Sequence, residues 1–334
     1  MKVAFKLLLF GVGLALFGWY VRRVGVAEIA SALRQLGWAA PLVLVPYGVV
    51  YLVDCLGWRW TLPAQLPLGF WSLLRIRWAG EAVNNVVPSA YVGGEAVKVF
   101  LLGQRGVPGP VATSAAIVSK SAQTVAQIGF IALAALALLL IAPNQPGLKP
   151  ALAVVLIGGS ATVALLFWLQ RRGVFRSFLG LADRFQLAQT WLRDRRAGWL
   201  ETDRTIGTYY REHRGRFLAS VTSYLGGWLL DSGEIYLVAH LLGQPINPLQ
   251  AIAVEAFTGV AKMMGMWIPG ALGVQESGLL LAGRWAGLPE PFCLAYAVLR
   301  RGREAVFVGI GWLFLYASHV QIGSVLSRRP DESM

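Results

Sequence analysis

Charged side chains are scarce in this sequence. Only 14% of its 334 residues are charged, whereas 56% are hydrophobic, and the mean hydropathy is +0.57. This composition excludes an ordinary soluble domain, in which about a quarter of the residues are charged. Several continuous apolar runs exceed the roughly 18–20 residues that cross a bilayer. We therefore predict an all-α polytopic membrane protein, and the continuity of the runs argues against a β-barrel.

Cysteine and histidine are also rare. The chain has two cysteines, Cys55 and Cys293, and three histidines that lie far apart. No CxxC pair or metal-ligand spacing occurs, so we predict neither a disulfide framework nor a metal site. Motifs for serine hydrolases, zinc proteases, P-loops and dinucleotide binding are absent from the sequence as well. We therefore predict no catalytic residues, no cofactor, and no ATP hydrolysis by this chain.

Acidic residues are few compared with basic ones, 17 against 30, which gives a net charge of +13. In a soluble protein this excess would indicate nucleic-acid binding. Here the arginines cluster in loops, where they set topology by the positive-inside rule, so we predict membrane lipids as partners and no nucleic acid. The longest basic stretch, 171–216, holds 11 arginines and five acids and is predicted to be cytoplasmic. Amphipathic surface helices and a solvated loop both remain open for it.

Six full spans are predicted from the apolar runs. They lie at about 3–21, 38–57, 110–142, 150–170, 217–242 and 291–320. The first lacks a small-x-small cleavage site and is expected to remain as a transmembrane helix. Counting crossings from the basic stretch puts both termini in the cytoplasm. The same count predicts that segment 78–105 enters and leaves the membrane on one face, and that segment 249–290 does so on the opposite face.

One segment occurs twice, 181 residues apart. Residues 88–110 read PSAYVGGEAVKVFLLGQRGVPGP, and residues 269–291 read PGALGVQESGLLLAGRWAGLPEP. Six of the 23 positions are identical, whereas average residue usage predicts roughly one or two. The identical pairs are Pro88/Pro269, Ala90/Ala271, Glu95/Glu276, Gly106/Gly287, Pro108/Pro289 and Pro110/Pro291. We predict an inverted repeat within a single membrane domain, 1–334. Each unit has a re-entrant hairpin and a span, at 78–142 and 249–320, with a site between the units.

Helix breakers mark the predicted tips of the two hairpins. They are Pro88, Gly93, Gly94, Pro269, Gly270 and Gly273. A broken helix exposes backbone N–H groups that can hold an anion, although glycines also serve close helix packing. Glu95 and Glu276 each follow the repeated proline by seven residues. An intramembrane carboxylate can form a gate or a headgroup contact, or it can cap the opposite hairpin's broken backbone. The sequence leaves these alternatives open.

Basic residues are predicted near the middle of the membrane. The repeat register aligns Lys120 with Arg301, each about ten residues into its span and so roughly 15 Å deep. Arg300 and Arg303 flank Arg301, and Lys262 precedes the second hairpin tip. Such cations predict a pocket for a phosphate or another anionic group. Alternatively, Glu304 pairs with Arg300 or Arg301 at helical spacing, and other cations extend towards the membrane surface.

Several further polar residues accompany these cations. Glu81, Asn84 and Asn85 open the first hairpin and are included in the predicted substrate path. Asp231 and Glu234 share one helix face and are predicted counter-ions for the basic group. Asp54 is predicted to lie at the membrane interface.

These motifs resemble a known family. Residues 80–102, GEAVNNVVPSAYVGGEAVKVFLL, and 268–283, IPGALGVQESGLLLAG, resemble the two signature regions of the lysylphosphatidylglycerol synthase transmembrane (flippase-like) family. With Arg300–Arg301, the likeness is closest to the hopanoid-biosynthesis-associated branch and extends over roughly 1–325. The resemblance implies translocation of a lipid, hopanoid-related or anionic, across the bacterial inner membrane. Bifunctional members carry a soluble aminoacyl-transferring domain after the membrane part. This chain ends soon after its last predicted span, so it is not expected to be an enzyme.

Two other functions are compatible with the sequence. One is a membrane enzyme of hopanoid or isoprenoid lipid synthesis that uses Glu95 and Glu276 as acid and base. The other is a scaffold that binds lipid-synthesis enzymes through 171–216. Sequence alone gives neither the substrate, direction and energy source of transport nor the oligomeric state.

Overall fold

The computed structural model of the protein describes residues 34, 36–87, 91–142, 144, 146–185, 189–244 and 246–318. These residues form eleven α-helices, two 3₁₀ segments (Gly37–Val43 and Pro269–Ala271) and no strand. The helices are α1 (Leu44–Thr61), α2 (Phe70–Val86), α3 (Val92–Gly103), α4 (Gly109–Ile141), α5 (Leu148–Arg172), α6 (Val174–Arg184), α7 (Gln189–Glu212), α8 (Arg214–Leu241), α9 (Pro248–Met264), α10 (Val274–Trp285) and α11 (Glu290–Ala317). The all-α fold class is confirmed.

Within the described part of the chain, three helical segments are long and apolar enough to cross a membrane. They are Gly37–Thr61, Gly109–Ile141 and Leu148–Arg172, and they coincide with the predicted spans 38–57, 110–142 and 150–170. The predicted spans 217–242 and 291–320 coincide with α8 and α11. Both of those helices carry buried charges at mid-length, which lowers their hydropathy. The predicted span 3–21 lies outside the described residues.

The four helices α1–α4 correspond, in the same order along the chain, to the four helices α8–α11. Each of α2, α3 and α4 begins within three residues of the position 181 earlier than the start of α9, α10 or α11. Packing between the two sets is reciprocal, because α2 packs on α11 while α9 packs on α4. Such an exchange is expected of two copies of one unit that interlock. Helix α8 also packs on α1, α4 and α9.

The repeated prolines and glycine define helix ends. Pro108 and Pro289 immediately precede α4 and α11, and Pro110 and Pro291 lie in the first turns, where proline removes no helical hydrogen bond. Helices α3 and α10 both end before a left-handed glycine, with φ of 79° at Gly106 and 75° at Gly287. Equivalent hydrogen bonds follow, from Val107 N–H to the Leu102 carbonyl (3.1 Å) and from Leu288 N–H to that of Gly283 (2.8 Å).

In the two helical hairpins, α2–α3 and α9–α10, the helices are joined by residues 87–91 and 265–273. The second turn contains the predicted breakers Pro269, Gly270 and Gly273, and both glycines have positive φ. In the first hairpin, Tyr91 is the left-handed residue, with φ of 63°. Pro88 lies outside the described residues.

Gly93 and Gly94 differ from the prediction, because they lie in the first turn of α3 rather than at the tip. The reason is packing between α2 and α3. Gly94 lies against Gly80 and donates its N–H to Asn84 Oδ1 (2.8 Å). A Cβ at Gly94 would overlap the Gly80 carbonyl oxygen and the Asn84 side chain. Small residues at this crossing therefore allow the two backbones to meet.

Substituting Gly94 is expected to push the two helices of the first hairpin, α2 and α3, apart. Gly94→Ala should lower the free energy of unfolding by about 1–3 kcal/mol, as overpacking does elsewhere. SDS titration of the protein in mixed micelles measures this change. Gly103→Ala is the matched control, because it lies in the same helix with open space around its Cβ position. Equal stability of the two variants would contradict the close packing of α2 on α3.

Candidate functional site

A cavity of about 990 Å³ lies between the two sets of helices. Its walls come from α1–α4 of the first set and from α8, α9 and α11 of the second, and Leu166 of α5 also lines it. Eight charged side chains line it: Asp54, Arg77, Glu81, Glu95, Lys120, Asp231, Lys262 and Arg300. Four are acidic and four are basic, so the formal charges of the lining balance. The remaining walls are largely aromatic and aliphatic.

The first hairpin contributes an ion-pair network that faces the cavity. Glu95 lies in the first turn of α3, and its carboxylate contacts Lys98 Nζ at 2.7 Å and Lys120 Nζ at 3.2 Å. Lys98 also contacts Glu81 at 3.4 Å and is almost fully buried. Lys120, on α4, keeps 37% of its side chain exposed. Among the described lysines that form ion pairs, Lys120 therefore has the most exposed side chain.

The second hairpin contains an equivalent network, which stabilises the turn of that same hairpin. The Glu276 carboxylate accepts the Gly273 N–H at 2.7 Å, which caps α10, and contacts Arg301 Nε at 2.5 Å. Arg301 also donates to the Gly270 carbonyl oxygen (2.8 Å) and to Glu304 (2.7 Å). The predicted cap is therefore present, but Glu276 caps its own hairpin rather than the opposite one. Arg301–Glu304 is the predicted pair at helical spacing.

Equivalent positions in the two repeats, 181 residues apart, form equivalent contacts. Glu95 with Lys120 corresponds to Glu276 with Arg301, 181 residues later. Lys120 also donates to Gln123 at 3.1 Å, and Gln123 is the counterpart of Glu304. Both units thus hold a helix-starting glutamate against a cation on the following long helix.

The two networks differ in their access to the cavity. Glu95 and Lys120 line it, whereas Glu276, Arg301 and Glu304 do not. The predicted basic pocket is therefore divided. Lys120, Lys262 and Arg300 face the cavity, and each has a carboxylate partner. Lys262 contacts Glu304 at 3.1 Å, and Arg300 grips Glu255 with two bonds of 2.5 and 2.8 Å.

The asparagines of the first hairpin have separate positions. Asn84 is buried against the start of α3 through its bond to Gly94. Asn85 lines the cavity and donates to the Glu81 carbonyl oxygen at 2.9 Å. Asn84 thus supports the hairpin, while Asn85 and Glu81 belong to the wall.

Arg77 was not among the predicted site residues, and Asp54 was predicted only as an interfacial residue. Their side chains meet at 2.6 Å in the cavity wall. Arg77 is four residues before Glu81 on α2, a spacing that could have linked it to the site. Within the described residues, Arg77 Nε and Nη1 and Arg300 Nε have no hydrogen-bond acceptor.

The predicted counter-ions on α8 contact two arginines of the basic group. Asp231 contacts Arg303 at 3.3 Å and Arg300 at 4.0 Å. Glu234 forms a closer pair with Arg303. The Arg303 guanidinium also lies 3.5 Å from the centre of the Tyr47 ring. This network ties α11 to α8 and α1, and its members Asp231 and Tyr47 line the cavity.

Comparison with known proteins identifies relatives along most of the chain. The family described as "Lysylphosphatidylglycerol synthase TM region" matches residues 3–311. A "UPF0104 membrane protein" of Methanothermobacter thermautotrophicus (strain Delta H) is 25% identical over 293 residues, covering 83% of this chain and 85% of the relative. No solved structure matches the chain.

Proposed function

The chain belongs to the family of lysylphosphatidylglycerol synthase transmembrane regions, and on this premise we propose that it is a lipid transporter. In this proposal, a lipid headgroup crosses the membrane through the cavity between α1–α4 and α8–α11. The acyl or terpenoid part of the lipid stays in the bilayer. The cavity is the observation that carries the proposal, because it places eight charged side chains within an apolar helical protein.

Its dimensions support a headgroup as the ligand. Small-molecule sites usually measure about 300–1,000 Å³, and this cavity is at the upper end of that range. Charged groups inside membrane proteins are costly and usually mark a transport path. The N–H groups of Arg77 and Arg300 that lack an acceptor would donate hydrogen bonds to oxygen atoms of a phosphate or a polyol once a change of side-chain conformation exposes them.

The repeat supports alternating access. Three membrane-spanning candidates lie between the start of α1 and the start of α8. An odd number of crossings starts the second unit on the opposite side of the membrane, so the two hairpins would enter from opposite faces. Rocking of one unit against the other would then expose the cavity to each side in turn.

The proposed setting is the bacterial inner membrane, with both termini in the cytoplasm. Arginines of the connection between α5 and α8 support this orientation, because basic loops remain cytoplasmic. Substrates to compare are a hopanoid-related lipid, whose core is uncharged, and an anionic phospholipid. The charges of the cavity lining balance, which suits an uncharged lipid. A phosphate would also fit if it displaced the carboxylate partner of one of the cations.

Acid–base catalysis by the two repeated glutamates is less well supported. Glu95 lines the cavity, whereas Glu276 is tied to Gly273 and Arg301 away from the lining. General acid–base catalysis needs both groups within hydrogen-bond reach of one substrate. Transport through the cavity requires no such meeting.

Reconstitution tests the proposal with a variant that fills the cavity. Ala96 lines the cavity and is exposed to it, so Ala96→Trp should obstruct the path. Ala132→Trp adds the same indole to an exposed position on α4 outside the lining. Vesicles would carry fluorescent phosphatidylglycerol or a fluorescent hopanoid, with translocation followed by chemical quenching of the outer leaflet. Wild type and Ala132→Trp should accelerate movement of one lipid, and Ala96→Trp should not. Rates equal to protein-free vesicles for every lipid would contradict transport.

A further inference from the structure

Helix α6, together with Phe185 directly after it, exposes an apolar stripe. Phe178, Leu181 and Phe185 recur at intervals of three and four residues and are 52%, 55% and 62% exposed. This spacing places them on one side of the helix. Large apolar side chains grouped in this way mark a surface that contacts a membrane or another protein.

The adjacent flank of α6 is fixed to α7. Leu179 and Ala182 are buried against Trp199, and the Asp203 carboxylate accepts the N–H groups of Phe175 (3.2 Å) and Arg176 (2.8 Å). These contacts hold the start of α6 in place. The exposed stripe is therefore presented in a fixed orientation.

Helix α6 begins where a membrane-spanning candidate ends. Helix α5 finishes with Arg171 and Arg172, and the Arg172 guanidinium lies 4.2 Å from the centre of the Trp168 ring. Tryptophan and arginine side chains are typical of the boundary between hydrocarbon and headgroups. Gly173 then turns the chain, with φ of 86°. A span that ends at this boundary would place the start of α6 at the level of the lipid headgroups.

The charge of this region favours an anionic surface. Residues 171–185 contain four arginines and one acid. That acid, Asp183, contacts Arg196 of α7 at 3.1 Å. We propose that α6 is an interfacial helix, whose stripe of Phe178, Leu181 and Phe185 enters the adjoining leaflet while Arg171, Arg172, Arg176 and Arg184 bind anionic phospholipid headgroups. This inference is independent of transport.

Site-directed fluorescence on the full-length protein in vesicles tests the insertion. Both native cysteines are buried and would be replaced by alanine. An environment-sensitive label at Phe178→Cys reports the stripe. A label at Gly180→Cys, where a Cβ meets open space, reports the polar side of the same helix. Iodide should quench the first label at least about threefold less than the second, because such stripes sit roughly 5–10 Å into the headgroup boundary. Equal quenching would overturn the proposal.

A second arm tests the choice of lipid. Vesicles of phosphatidylcholine alone would be compared with vesicles that also contain phosphatidylglycerol. Phosphatidylglycerol should move the Phe178→Cys label further into the bilayer and so reduce its quenching by iodide. In the Arg176→Gln/Arg184→Gln variant, this reduction should be smaller by about fivefold per arginine. Protection that is identical in both vesicles and rises with protein density would assign the stripe to a second copy of the chain, and would overturn the proposal.

Discussion

Replacing Glu255 with leucine should strongly destabilise the protein. Glu255 is fully buried, and its two carboxylate oxygens hold the Arg300 guanidinium at 2.5 and 2.8 Å. Glu255→Leu would leave a buried arginine without its main partner. Breaking a buried pair in this way costs about 3–5 kcal/mol. SDS titration in mixed micelles should show this loss in the free energy of unfolding.

The double variant separates pairing from packing. Glu255→Leu/Arg300→Met removes both charges and should recover most of the lost stability, because apolar replacements of a buried pair are often neutral. Asp231 would retain its contact with Arg303 in that variant. If the double variant were as unstable as Glu255→Leu, the loss would come from packing around α9, and the ion pair would not be its cause.

Removing the Lys120 ammonium should abolish most transport while preserving the fold. Lys120 faces the cavity, and its partner Glu95 retains a 2.7 Å contact with Lys98. Lys120→Met is therefore expected to lower the translocation rate at least about tenfold, equivalent to about 1.4 kcal/mol in the barrier. Reconstituted vesicles measure the rate, and SDS titration measures stability.

Two matched variants sharpen this prediction. Lys149→Met removes the same charge from an exposed position on α5 and should leave the rate unchanged. Arg301→Met alters the position equivalent to Lys120, but it leaves the buried Glu276 and Glu304 without this partner. It should therefore lower stability by about 3–5 kcal/mol. Full transport by Lys120→Met would show that the headgroup does not pass this lysine.

The repeat made much of the fold predictable. Gly106 and Gly287 end α3 and α10 with similar φ, and the neighbouring prolines begin α4 and α11, because backbone constraints act within a few residues. Apolar runs likewise placed Gly109–Ile141 and Leu148–Arg172 to within a few residues. Local composition determines both kinds of feature.

The partners of the buried charges could not be predicted in the same way. Arg301–Glu304 lies at helical spacing and was foreseen, whereas Arg300–Glu255 joins residues 45 apart on different helices. Asp54 and Arg77 likewise meet across a turn between α1 and α2. Such contacts depend on how helices pack, which periodicity does not encode. The sequence therefore identified most of these charged residues, but not Arg77, Lys98 or Glu255, and it did not show which charged residues face the cavity.

Labelling of equivalent positions on the two hairpins tests the central claim, that the units are inverted around one cavity. Gly103 and Arg284 are 181 residues apart, and both are exposed at the ends of α3 and α10. In a chain without Cys55 and Cys293, Gly103→Cys and Arg284→Cys would be treated with a membrane-impermeant maleimide. In intact cells Arg284→Cys should react, and Gly103→Cys should react only after the membrane is opened. Reaction of both from the same side would contradict the inverted arrangement.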